Sequence, residues 1–179
     1  MLWKVDLGAT DYFSNYSTPL IEGDTVYFAI AAGGKKGAGG GGIIALKIEK
    51  DGDKFKAVQL WKKSTAIDKY LTPVYKDGLI FGITPGTRYF FCVDAKTGEK
   101  LWTDDKKRGE CGAILDAGKV LISLTSDKQL VAFEPSKEKY KELAKYQVSE
   151  SETWSVPIIA GNRFFVKDKA GYLTLWSLE

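Results

Sequence analysis

The sequence predicts an all-β chain, a β-propeller of four-stranded antiparallel blades, about four in number, standing alone or as half of an eight-bladed ring. Three observations carry this. An apolar hairpin pattern occurs four times, the copies lie 54, 40 and 44 residues apart, and each hairpin is followed by a third apolar run with a small residue at its middle. Four-stranded units repeating at about 40–45 residues are the sequence sign of propeller blades.

The opening run of each copy starts at a proline or a small residue: Thr18-Pro19-Leu20-Ile21, Thr72-Pro73-Val74-Tyr75, Gly112-Ala113-Ile114-Leu115 and Val156-Pro157-Ile158-Ile159. A second run follows at Val26-Tyr27-Phe28, Ile80-Phe81-Gly82, Val120-Leu121-Ile122 and Phe164-Phe165-Val166. Between the two runs lies a tight turn, Glu22-Gly23-Asp24, Lys76-Asp77-Gly78, Asp116-Ala117-Gly118 or Ala160-Gly161-Asn162, whose Gly, Asp and Asn tolerate the positive φ of a short hairpin. The third run is Ile44-Ala45-Leu46, Phe91-Cys92-Val93, Val131-Ala132-Phe133 and Leu173-Thr174-Leu175. Its small centre points to close packing on a neighbouring sheet.

An outer strand is expected at Val58–Trp61, at Lys100–Trp102 and, in degenerate form, at Leu143–Tyr146; the helix-forming composition of Lys137–Lys145 makes the last a loop and a poor strand. The fourth copy reaches Glu179 without such a strand, and Leu2-Trp3-Lys4-Val5-Asp6 has the look of the missing one. The blades are therefore expected over 17–61, 71–103, 111–148 and 155–179, the last completed by 2–6, as one domain. The long first spacing is assigned to an insertion, Gly33–Gly42. That glycine-rich stretch is not a phosphate loop, which ends in Lys-Ser/Thr and opens a helix; here the strand pattern Ile43-Ile44-Ala45-Leu46 follows. It is read as a surface loop.

Composition narrows the chemistry. The 179 residues contain no histidine, which removes Ser-His-Asp and Cys-His mechanisms and the commonest transition-metal ligand. Two cysteines, Cys92 and Cys111, cannot form a close-spaced metal pair. Cys92 reads as a small buried residue, and a disulfide to Cys111 would have to join an outer position to an inner one. A net charge of +3 without a dense basic block gives no reason to expect nucleic acid. No stretch approaches the ~20 apolar residues of a membrane helix, and Met1–Asp6 lacks the apolar core of a secretion signal. Either the protein is cytoplasmic or the chain is a piece of something longer, and the repeats favour the second reading.

The segment Val93-Asp94-Ala95-Lys96-Thr97-Gly98-Glu99-Lys100-Leu101-Trp102 resembles the tryptophan-docking motif of pyrroloquinoline-quinone-type propellers. In that family an Asp-Ala-x-Thr-Gly turn leads to an outer-strand Trp whose ring packs between blades. The resemblance implies docking roles for Asp94, Thr97, Gly98 and Trp102, and for Trp61, which with Trp3 matches only the Trp end. Kelch and WD-type signatures are absent. The family's dehydrogenases use a calcium-bound quinone, a catalytic Asp and a disulfide between adjacent cysteines, and none of these can be matched here. Its non-enzymatic members include the lipoprotein scaffold of the outer-membrane barrel assembly machinery and many exported bacterial proteins. The resemblance therefore implies a periplasmic or extracellular scaffold without a cofactor. The alternative is half of a quinone-dependent dehydrogenase with pyrroloquinoline quinone and calcium sites elsewhere.

Loops carry function more often than strands. The links between blades and the loops joining second and third strands emerge at one end of a propeller. There they gather Tyr12, Asn15, Tyr16, Tyr70, Arg88, Arg108, Trp154 and Lys169, an aromatic and basic set of the kind that binds partners. The expected partner is a protein, peptide or glycan. A second copy or the remainder of a longer propeller is the expected neighbour at the open end.

Overall fold

The computed structural model describes residues 1–5, 17–30, 41–65, 67 and 71–177, and every regular element among them is a strand. The first sheet is β1 (Leu20–Glu22), β2 (Thr25–Ile30), β3 (Gly42–Asp51) and β4 (Lys54–Lys63). The second is β5 (Val74–Lys76), β6 (Leu79–Ile83), β7 (Phe90–Asp94) and β8 (Lys100–Thr103). The third is β9 (Gly112–Asp116), β10 (Leu121–Thr125), β11 (Gln129–Phe133) and β12 (Glu142–Gln147). The fourth is β13 (Ile158–Ala160), β14 (Arg163–Lys167) and β15 (Leu173–Ser177). Within each sheet the strands pair antiparallel in chain order, the meander of a propeller blade.

Register explains the small residue of each third strand. Across the first sheet run Leu20, Tyr27, Ala45 and Trp61, and across the second Val74, Phe81, Cys92 and Trp102. The indole lies opposite Ala45 or Cys92, where a larger side chain would hold it off the sheet. A β-bulge follows at the same place in three sheets, after Ala45, Cys92 and Ala132. Such a bulge twists the outer strand and re-aims its side chains.

The same rows correct two alignments. In the third sheet the row is Leu115, Ile122, Ala132 and Ala144, so the slot of the tryptophan is taken by Ala144 and not by Tyr146. In the fourth it is Ile158, Phe165 and Leu175, so Leu175 and not Thr174 stands where Ala45 and Cys92 do. Side chains alternate along a strand, and a slip of one residue reverses the face.

The insertion reading also needs amendment. Gly42 belongs to β3, and the extra length of the first copy is shared between the stretch before β3 and a long β3–β4 hairpin whose Ile48–Asp51 arm pairs with Lys54–Ala57. Residues 31–40, the rest of the glycine-rich stretch, lie outside the described residues. In the third sheet β12 is a six-residue strand, because its pairing with β11 outweighs its helix-forming composition.

Two cores hold successive sheets together. Tyr27, Ala45, Ile80, Phe81, Phe90, Cys92, Ile114 and Phe133 belong to one that runs through the first three sheets. Ile122, Leu124 and Leu130 meet Val148, Phe164 and Val166 in a second, between the third and fourth. A third cluster, Ile30, Ile44 and Leu46, lies on the face of the first sheet that turns away from the second, with Val5 packed on it. Residues 1–5 form no strand, so Leu2–Val5 do not complete the fourth sheet as expected; Asp6 lies outside the described residues.

Candidate functional site

The docking motif is built from one turn. Asp94 closes it by accepting the Thr97 backbone N–H at 2.8 Å and the Thr97 hydroxyl at 3.0 Å, while the Gly98 N–H donates to the Asp94 carbonyl at 2.8 Å. The carbonyl of Ala95 is thereby turned toward the first sheet, where the Trp61 indole N–H donates to it at 3.1 Å. One blade on, the Trp102 indole donates to the Ser136 carbonyl at 2.9 Å. Each tryptophan thus spans from its own outer strand to the turn of the following blade. These residues are mortar between blades.

The loop-face residues do not form one surface. Tyr12, Asn15, Tyr16 and Tyr70 lie outside the described residues. Arg108, expected on a binding face, is 5% exposed. Its guanidinium forks onto both carboxylate oxygens of Asp104, donates to the Lys106 carbonyl at 2.7 Å, and lies 3.6 Å from the centroid of the Phe90 ring. The planar fork suits that stacked, paired position, and it holds the link between second and third sheets. Arg88, at φ +60°, donates its Nε–H to the Glu110 carbonyl in the same link.

Trp154 and Lys169 do come together. Both donate to one Glu152 oxygen, the indole at 3.1 Å and the ammonium at 3.0 Å. The Lys169 hydrogen bond first, then that of Trp154, holds the Glu152 carboxyl below its ordinary range. This ties a 53% exposed tryptophan at the rim of a hollow of about 490 Å³ that Asp168, Lys169 and Gly171 also line.

The same tryptophan borders a larger groove of about 810 Å³ that runs along the inner strands β1, β5 and β9. Leu20, Val74, Ala113, Leu115 and Val156 line it. Among the described residues its one lining carboxylate is Asp116, which accepts from Lys76 through both oxygens at 3.1 Å. Each inner strand is the terminal strand of its sheet, so the groove offers backbone donors and acceptors beside apolar side chains. Reasoning from loops passed over this feature. Its signal in the sequence was the apolar run beside each Pro or small residue, which reads as core until the sheets place it at the inner edge.

The surroundings of Cys92 do not suit nucleophilic chemistry. Burial, with Asp94 nearby, pushes the Cys92 thiol up to about 12, so it stays protonated at neutral pH. Cys111 lines the groove. Calcium asks for six or more oxygen ligands. Among the described residues no three Asp, Glu, Cys or His side chains gather as a metal site.

The profile of the family described as outer membrane protein assembly factor BamB matches residues 90–179. Among solved structures, BamB from Moraxella catarrhalis superimposes with a TM-score of 0.66 at 14% identity, over 90% of this chain and 43% of that one. The computationally designed Ika8 protein gives 0.57 at 11% identity, over 89% of this chain and 45% of that one. The designed Ika4 protein gives 0.60 at 12%, over 97% and 96%. The chain therefore spans less than half the length of the first two. No curated protein matches it in sequence.

Proposed function

The chain belongs to the β-propeller family described as outer membrane protein assembly factor BamB, and from that premise we propose that it is a non-enzymatic scaffold that binds an extended polypeptide along its inner groove. The observation that supports this reading is the groove itself: apolar side chains, terminal strand edges and Trp154 at the mouth. An extended chain can pair with a strand edge while alternate side chains enter apolar pockets. Glycan recognition is favoured less, since the groove wall is largely aliphatic. The family description supports a role among proteins that assemble the outer membrane, and with it a periplasmic setting.

Calorimetric titration with peptides that alternate apolar and polar residues tests the proposal. Saturable binding that Leu20→Asp and Trp154→Ala both weaken at least tenfold is the expected result. Peptides that give no saturable heat of binding, or that bind these variants equally, would overturn it. Adding pyrroloquinoline quinone with calcium is the arm for the dehydrogenase reading, and a shift in absorbance and melting temperature would favour that reading instead.

A further inference from the structure

The inner groove and the smaller hollow of about 490 Å³ meet at Trp154, which lines both. The hollow lies between the link that enters the fourth sheet, represented by Trp154 and Ser155, and the β14–β15 loop with Lys167, Asp168, Lys169 and Gly171. These two walls are tied together through Glu152. Its carbonyl accepts the Lys169 backbone N–H at 2.8 Å, and its carboxylate accepts from the Trp154 indole and the Lys169 ammonium. The chain's own contacts thus set the indole and the loop in place.

Not every polar group of the hollow is used in this way. Asp168 closes its own loop, accepting the Tyr172 N–H at 2.8 Å on one oxygen and the Ser149 hydroxyl at 3.1 Å on the other. Lys169 is paired with Glu152. Among the described residues the Lys167 ammonium and the Ser155 hydroxyl have no partner, and both residues are exposed and line the hollow. The charge of Lys128 also acts on Glu152 and adds to the positive field of this rim. The other end of the groove is different. Lys76 and Asp116 end β5 and β9, whereas Trp154 precedes β13, so the ion pair and the indole mark opposite ends. Lys76 is already matched there, and an incoming carboxylate would meet Asp116.

We propose that the hollow beside Trp154 is a carboxylate subsite for the polypeptide held in the groove. An acidic side chain of that polypeptide pairs with Lys167 and accepts from the Ser155 hydroxyl, and the residue joining it to the apolar stretch lies against the Trp154 ring. The inference rests on the groove reading above and gives it a direction, with the acid at the Trp154 end and apolar residues along β1, β5 and β9. An ammonium–carboxylate hydrogen bond is stronger than a neutral one. A charge placed at the rim of an apolar site selects partners and fixes their register.

Calorimetry of the whole chain with acetylated and amidated peptides, whose side chains supply the only charge, tests this. Three peptides share one core of alternating apolar and polar residues. The first has glutamine at both ends, and the other two carry glutamate at one end or at the other. One glutamate peptide is expected to bind about three- to tenfold more tightly than the glutamine peptide, the scale of a partly exposed, hydrogen-bonded ion pair. Lys167→Gln is expected to erase that gain, and Ser155→Ala to reduce it, with affinity for the glutamine peptide and the thermal melt unchanged. Suppose the glutamine peptide binds and Leu20→Asp weakens it, but glutamate adds nothing or Lys167→Gln keeps the gain. The groove reading then stands and the carboxylate subsite is overturned. Equal gains from both placements would overturn the direction. Glucuronate alone binding as tightly as the glutamate peptide would give the hollow to an acidic sugar instead. Binding by none of the peptides would overturn both readings.

Discussion

The ring of Trp61 lies against the α-carbon of Gly98, so closely that a Cβ there would stand 2.6 Å from the Trp61 Cε3 atom. Gly98 also holds φ +74°, in the left-handed region. Two separate reasons therefore exclude a side chain. The backbone cost of an L-residue there is about 1–2 kcal/mol, and overpacking adds about 1–3 kcal/mol. Gly98→Ala is expected to destabilise the protein by more than about 2 kcal/mol, and to shift the emission of Trp61. Urea melts check it; a loss below about 1 kcal/mol would mean that the indole is not docked on the turn.

Two tryptophans of opposite setting form a matched pair. Trp102 is 9% exposed, packs on Phe81 and Tyr140, and bonds to the next blade; Trp154 is 53% exposed. Trp102→Ala is expected to cost ~3–5 kcal/mol, the range for truncating a buried large aromatic. Trp154→Ala is expected to stay within about 1 kcal/mol of the parent. Equal losses in denaturant melts would contradict the placement of both.

Arg108 and Asp104 form a buried ion pair, with side chains 5% and 4% exposed. Removing one partner of such a pair strands the other charge, at a cost of about 3–5 kcal/mol. Arg108→Ala is expected to fall in that range. Arg108→Lys is expected to recover only part of it, because an ammonium cannot fork onto both oxygens and stack on Phe90 at once. Full recovery by lysine would show that charge alone matters there.

Acidification tests the rim. The folded-state acidity of Glu152 is raised by Lys169 and then Trp154, so its pKa lies below the unfolded value. The contact is then fully present above the ordinary glutamate range and is lost as pH falls through the lower, folded value. Trp154 emission is expected to hold steady from neutral pH down through that range and to change only beneath it. Glu152→Gln is expected to abolish the transition. A midpoint at or above the ordinary glutamate value would contradict the geometry.

The hairpins, the repeat length and the docking turn were legible because each rests on local chemistry. Asp77 and Gly78 sit at positive φ as a tight turn requires, and Asp94, Thr97 and Gly98 close a turn within five residues. Register was less legible. Thr174 and Leu175 both suit a strand, and only pairing with β14 decides which of them faces the next blade. Arg108 misled for a similar reason: an arginine in a link looks solvated until a carboxylate four residues away and a ring from β7 close around it.

By itself, then, the sequence determined a propeller of repeated four-stranded units, the absence of histidine chemistry and the tryptophan that bridges blades. Those follow from short-range turn preferences, strand periodicity and residue inventory. Only the tertiary structure decided that the inner strands line an apolar groove, that Arg108 is core and that Leu175 stands in the row of Ala45 and Cys92. Each depends on which face of a strand meets a neighbouring sheet, and that is set by pairings between residues far apart in the chain.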